Sequence, residues 1–253
     1  MVTQHERRKR NAQALMFGPS KFSYPEQGDC RLCLLSYEIP DLGEGDAVSL
    51  WSDLSIWGLD VSCSVAASKP TYHNIDGPGG KPYMSCDGVD DYLETVSNPI
   101  PLQLNTPHIF TVARVRSGAE NGLAGYLQNY GSGRNGYLLG ARSANFGYAM
   151  LAHATSYQEH INAVDMTQDV WYVAELQVTA TQVLVKMNGN GNSFARTIDP
   201  ITWAVGNRFM VGRRDNVGPA NSAVDIAAVL VYNGTPTQAD VITRQLMADF
   251  NIL

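Results

Sequence analysis

Charge is scarce in this 253-residue chain: Asp, Glu, Lys and Arg together make 17%, against 44% apolar residues. Such a balance buries a core and argues against disorder. Basic residues are in the minority, and the net charge of −6 does not suit a surface that coats nucleic acid. No apolar run approaches the ~20 residues that cross a bilayer, so membrane insertion is not expected. Histidines are few: His5, His73, His108, His153 and His160 form no pair at helical metal-binding spacing. A Gly-x-Ser-x-Gly elbow, which would mark a hydrolase nucleophile, is missing.

Cysteines number only four, Cys30, Cys33, Cys63 and Cys86. The spacing Cys30-Arg-Leu-Cys33 suits a metal knuckle or a redox pair, but zinc would need two further close ligands. The run from Cys30 to Tyr37 also reads as a strand, in which residues three apart point to opposite faces. Buried thiols, a disulfide and a zinc site all stay open at this point. The charged stretch Met1 to Arg10 resembles the start of a signal peptide. The apolar patch Ala14-Leu-Met-Phe17 that follows is too short, and Gly18-Pro19 ends it. Export by the usual route is not expected.

What the chain does have is turns and alternation. Its 23 glycines and 12 prolines suit many tight turns. In 108–116, Ile109, Thr111, Ala113 and Val115 share one face. In 170–178, Tyr172, Ala174, Leu176 and Val178 do so, opposite Glu175 and Gln177. Val183, Val185 and Met187 align in 182–187, and Asn188-Gly189 tolerates the positive φ of a hairpin turn. Further strands are expected at 82–95, 123–129, 136–141, 146–152 and 207–213. The pattern predicts an all-β, two-sheet antiparallel sandwich. One domain should run over 29–253, preceded by an N-terminal arm of residues 1–28.

The C-terminus predicts a helix over about 236–250. Thr235 suits the N-cap, Pro236 the first helical position, and Gln238 can complete a capping box. Ile242, Leu246 and Phe250 then form one apolar stripe that must lie on something larger.

Several motifs occur in a telling order. Asp46-Ala-Val-Ser-Leu-Trp51-Ser-Asp53 is followed by Lys69-Pro-Thr-Tyr72, Gly80-Lys-Pro-Tyr83 and Cys86-Asp-Gly-Val-Asp-Asp-Tyr-Leu93. Downstream come Trp171, the Lys186-Met-Asn-Gly189 turn, and the run Ala227 to Asn233 with its helix. Together they resemble laminin-G-like, concanavalin A-like jelly rolls over roughly 29–253. Two departures stand out: Cys86 replaces the usual Phe, and Ser55-Ile-Trp-Gly58 replaces the usual Ser-Gly-Asn-Gly. The resemblance implies a jelly roll but not an activity, since the family includes lectins, adhesion modules, hydrolases and viral structural proteins.

Chemistry is thinly marked. The resemblance would place Glu-x-Asp-x-x-Glu on one strand of a glucanase, whose carboxylates sit ~5–5.5 Å apart. Glu44-Gly-Asp46 lacks the second Glu. Asp87, Asp90 and Asp91 cluster without the ligand spacing of an EF-hand loop, so no cofactor is expected; the resemblance implies Ca2+ as the alternative, since some laminin-G-like domains hold it at loop carboxylates. Gly131 to Gly136 reads as a hairpin turn, lacking the Lys-Ser/Thr of a phosphate loop. Tyr126, Tyr130, Tyr137 and Tyr148 fall on successive strands and turns, where they could form a sugar-stacking sheet face or pack in the core. In the arm, Arg7, Arg8, Lys9 and Arg10 with Phe17, Phe22 and Tyr24 make either a solvated tail or a segment that docks onto an acidic partner or nucleic acid.

The expectation is therefore a non-enzymatic bacteriophage virion structural protein: a head decoration, head fibre or tail appendage. It would be made in the host cytoplasm, anchored by the arm to capsid or tail proteins, and homo-oligomeric. The alternative is a carbohydrate-binding module that recognises a cell-surface glycan.

Overall fold

The computed structural model describes residues 24, 28–39, 41–95, 100–117, 120–130, 133–142, 146–153, 156–198, 208–213 and 223–253. Arg7, Arg8, Lys9, Arg10, Phe17 and Phe22 lie outside them. Among the described residues the alternation becomes sixteen strands. The first six are β1 (Cys30–Leu35), β2 (Leu50–Trp51), β3 (Val61–Ser62), β4 (Thr71–His73), β5 (Tyr83–Asp87) and β6 (Leu93–Thr95). A long meander follows: β7 (Pro107–Ser117), β8 (Glu120–Tyr130), β9 (Gly133–Arg142), β10 (Phe146–His153) and β11 (Ser156–Asp165). Then come β12 (Trp171–Val178), β13 (Gln182–Met187), β14 (Asn190–Ala195), β15 (Met210–Val211), β16 (Ala223–Asn233) and helix α1 (Ala239–Asp249).

Two eight-stranded antiparallel sheets result. One runs β14-β13-β12-β7-β16-β5-β4, the other β11-β10-β9-β8-β15-β6-β3-β2. β16 is long enough to take two neighbours along one edge, with Ala223–Ile226 on β5 and Ala228–Tyr232 on β1. Asn188 (φ 51°) and Gly189 (φ 80°) close the β13–β14 hairpin, whose twist a turn with two positive φ values matches. The faces read from the sequence meet as expected. Ile109, Ala113, Val115, Ala174, Leu176, Val178, Val183 and Val185 face a core completed by Tyr126, Tyr137, Leu139, Ala149 and Leu151. Each such aliphatic side chain contributes ~1.5–3 kcal/mol.

The outer face of the first sheet carries a second apolar layer. Phe110, Val112, Val173, Leu230 and Tyr232 pack against Ile242 and Leu246 of α1 and Phe250 at its C-terminal cap. Burial on both faces is why 223–232 reads as a nearly unbroken apolar run. The helix begins later than its sequence suggests, at Ala239 with Gln238 as N-cap and no side-chain cap bond. Thr235 is diverted, because its hydroxyl accepts a hydrogen bond from Gln177 of the sheet at 2.8 Å. Under the helix lies a charged group. Glu175 is fully buried and meets His108 Nε2 at 2.8 Å, Lys186 Nζ at 3.4 Å and the Thr243 hydroxyl at 3.1 Å.

Two corrections concern the N-terminal region. β1 has a bulge between Cys30 and Leu32, which resets the alternation. Cys30, Cys33 and Leu35 therefore pack together in the outer layer, while Leu32 and Leu34 face the core. All four cysteines are free thiols. Tyr24, assigned above to a docking arm, belongs to the body. It is buried in the outer layer, and its hydroxyl donates to Asp249 Oδ2 at 3.0 Å. Burial first, then Tyr37 and Asp249, push its phenol well above the ordinary range, so it remains a donor.

Candidate functional site

Asp53, of the Trp51-Ser-Asp53 motif, builds the most unusual surface of the molecule. Its carboxylate accepts four hydrogen bonds: from the amides of Cys33 and Ser55 at 2.8 Å each, the Ser55 hydroxyl at 2.6 Å and the Leu59 amide at 2.7 Å. Its own amide donates to Asp60 at 2.9 Å. Burial raises the Asp53 pKa, and these hydrogen bonds oppose the rise. The loop 53–60 is thus fixed to β1, and Gly58 (φ 62°) turns the chain at its apex. That geometry holds apolar side chains outward: Leu54 is 38%, Ile56 75% and Trp57 41% exposed.

Against Trp57 lies Arg31 of β1, its guanidinium carbon 4.4 Å from the ring centroid. Arg31 is the bulged residue of β1, skipped in the pairing with β16. Its Nε is buried and has no hydrogen-bond partner among the described residues. Arg31 and Trp57 form one wall of a groove of about 430 Å3, with Gln103, Asn105, Thr106 and Asn233 among the residues lining the rest. That size lies within the range of small-molecule sites. The lining mixes an aromatic plane, a cation and amide or hydroxyl groups, with no carboxylate among the described residues.

The tyrosines act behind this groove, which corrects the stacking surface expected above. Tyr126 and Tyr137 are completely buried in the core. Tyr148 is buried with Leu138, Met150 and Ala152 in a small separate cluster. A buried ring offers no face to a sugar. The side chain of Tyr130 lies outside the described residues. Tyr137 donates to the Leu102 carbonyl at 2.8 Å, and Tyr126 hydrogen-bonds Gln103. They hold the 102–103 segment in place and do not meet the groove's contents. Nothing local marks the groove in the sequence, whose contributors come from 31, 57, 101–106 and 233. The one available signal was the departure at Ser55-Ile-Trp-Gly58, which puts two large apolar residues where a turn is expected.

The acidic cluster is separate. Carboxylate oxygens of Asp87, Asp90 and Asp91 lie within 4.8 Å of one another. Much of their capacity is used in closing a turn: Asp91 accepts from the Asp87 amide at 3.0 Å, Asp87 from the Val89 amide at 2.7 Å, and Asp90 from the Ser68 hydroxyl at 2.9 Å. Burial, then the charges of Asp87 and Asp90, push the Asp91 carboxyl up to about 6.

No protein-family model and no curated protein sequence matches the chain. Solved structures do. Trypanosoma rangeli sialidase in complex with sialic acid aligns at 14% identity and a TM-score of 0.60, over 98% of this chain and 38% of that one. The binding domain of Paraclostridial Mosquitocidal Protein 1 aligns at 9% identity and 0.62, over 87% and 53%. Domain 4 of AbnA, a GH43 extracellular arabinanase from Geobacillus stearothermophilus solved with arabinotriose, aligns at 11% and 0.53, over 79% and 100%. The chain thus spans under two fifths of the sialidase's length. At such identities the likeness shows the fold, a β-sandwich of the jelly-roll kind, and nothing of chemistry.

Proposed function

We propose that this chain is a non-enzymatic carbohydrate-binding module whose site is the groove between the 53–60 loop and the 101–106 segment. The observation that carries the reading is Trp57: a half-exposed indole beside a groove of ligand size lined by both polar and apolar groups. Sugars offer apolar C–H faces to an aromatic plane and hydroxyls to amides, and both partners are present here. The fold lends support, since a toxin's binding domain and an arabinanase domain solved with arabinotriose share it. A binding role is favoured over hydrolysis because the described residues that line the groove include no pair of carboxylates to act as acid and nucleophile.

A glycan array followed by calorimetric titration of the best ligand tests this. Binding should be lost in Trp57→Ala with the fold intact by circular dichroism, and no product should form during incubation. Turnover of any glycan, or binding indifferent to Trp57, would refute the reading.

The setting expected above is kept within the proposal: a homo-oligomeric module displayed on a virion through the segment before Tyr24. Purified particles carrying the full-length chain, but not one beginning at residue 24, are the corresponding result. Equal incorporation of both would exclude that mode of attachment.

A further inference from the structure

We infer that the groove selects a glycan bearing a carboxylate, a uronic or a sialic acid, and that Arg31 is the residue that reads it. This rests on the glycan-binding reading and names the class of sugar.

The inference starts from an anomaly. An arginine with a buried Nε is ordinarily paired, because its guanidinium brings five donors and a fixed charge that are costly to leave unmatched. Elsewhere on this surface arginines find acids: Arg114 meets Asp225 at 2.6 Å, and Arg142 meets Glu159 at 3.9 Å. Arg31 has neither a carboxylate nor a side-chain hydrogen bond among the described residues. It has only the Trp57 ring, 4.4 Å away. Stacking holds the guanidinium plane in position without using its in-plane donors.

What remains is a guanidinium at the groove wall with no carboxylate partner among the described residues. Its natural partner is a planar oxyanion, bound through two parallel N–H···O bonds. A phosphate would satisfy the charge equally, but the rest of the lining argues for a sugar acid. Asn105 and Thr106 offer neutral polar groups, and among the described residues that line the groove there is no second cation to share a dianion. The chain's net charge of −6 repels anions at long range. Arg31 therefore acts by contact and not by steering, and the affinity should depend only mildly on salt.

The test is titration of the wild-type chain with four probes. α2,3-Sialyllactose is compared with lactose, and trigalacturonate with its carboxyl-reduced galactotriose. At least one acid should bind about tenfold or more tightly than its neutral partner, the discrimination one charge-assisted contact supports. Which acid wins distinguishes sialate from uronate. Arg31→Gln should bring the acid down to its neutral partner's affinity, and Arg31→Lys should keep part of the preference as a point charge. Melting temperatures of both variants serve as the folding control. An acid preference that survives Arg31→Gln in a folded protein, or neutral sugars bound as well as acids, would overturn the assignment of Arg31 while leaving glycan binding in place. If all four probes and the wider array fail to bind, the glycan reading itself falls.

Discussion

Replacing Glu175 by Gln gives the most quantitative check on how the helix is attached. The side chain is fully buried between the first sheet and α1, where His108, Lys186 and Thr243 converge on it. Burial by itself would raise its pKa. The pairing to His108, the Lys186 charge and the Thr243 hydroxyl outweigh that and leave the carboxyl below its ordinary range. Gln keeps the shape and one carbonyl acceptor but removes the charge, leaving Lys186 with only the exposed Asp240 at 3.3 Å. Removing one member of a buried pair costs roughly 3–5 kcal/mol, and the retained acceptor sets the expectation at about 3 kcal/mol. Because the folded pKa is depressed, the contribution is complete above the unfolded value of about 4.3. It disappears as pH falls through the lowered folded value. Urea unfolding of both proteins should show the full deficit at pH 7 and pH 5.5, closing only in stronger acid. A deficit below about 0.5 kcal/mol at pH 7 would refute the pairing argument.

Truncation to residue 24 should leave stability unchanged, whereas Tyr24→Ala in the full-length chain should cost about 3 kcal/mol in chemical denaturation, since a buried aromatic and its bond to Asp249 are lost. Asp53→Ala leaves its loop donors without their acceptor; the expected loss is about 2 kcal/mol, with the Trp57 emission moving towards that of a fully solvated indole. Carbon-detected NMR should find Asp91 titrating at about 6. A raised carboxylate pKa lowers stability as pH rises from about 4 to 6, so Asp91→Asn should show less of that decline. Repeating the titration in millimolar Ca2+ should leave the midpoint in place; a large drop would reveal an ion at the cluster.

The sandwich was legible because alternation is a local property: Ile109 to Val115 and Tyr172 to Val178 carry their facing in their own order. The stripe Ile242, Leu246 and Phe250 was equally plain, and it pointed correctly to a docked helix. Three features were hidden because they arise only from tertiary packing. Glu175 alternates onto the same side of its strand as Gln177 and reads as solvent-facing until α1 covers it. The β1 bulge reverses the facing of Cys30, which no residue of 30–33 announces. Thr235 has the chemistry of an N-cap but is taken by Gln177 from a different element. The groove was hidden for a related reason: Arg31, Trp57, Gln103 and Asn233 are remote in sequence and meet only in the folded chain, where Asp53 pins the Trp57 loop to β1 and the Gly234 amide bonds the Thr106 carbonyl.

The most direct measurement is a 15N NMR titration of the wild-type chain with the strongest glycan the array returns. Mapped onto the fold, the largest shifts should fall on the Trp57 indole Nε1–H, the Arg31 Nε–H and the Asn105 side-chain amide, with the Asp87–Asp91 turn unaffected. Shifts centred on that turn, or a bound glycan that moves neither the Trp57 nor the Arg31 signal, would contradict the placement of the site.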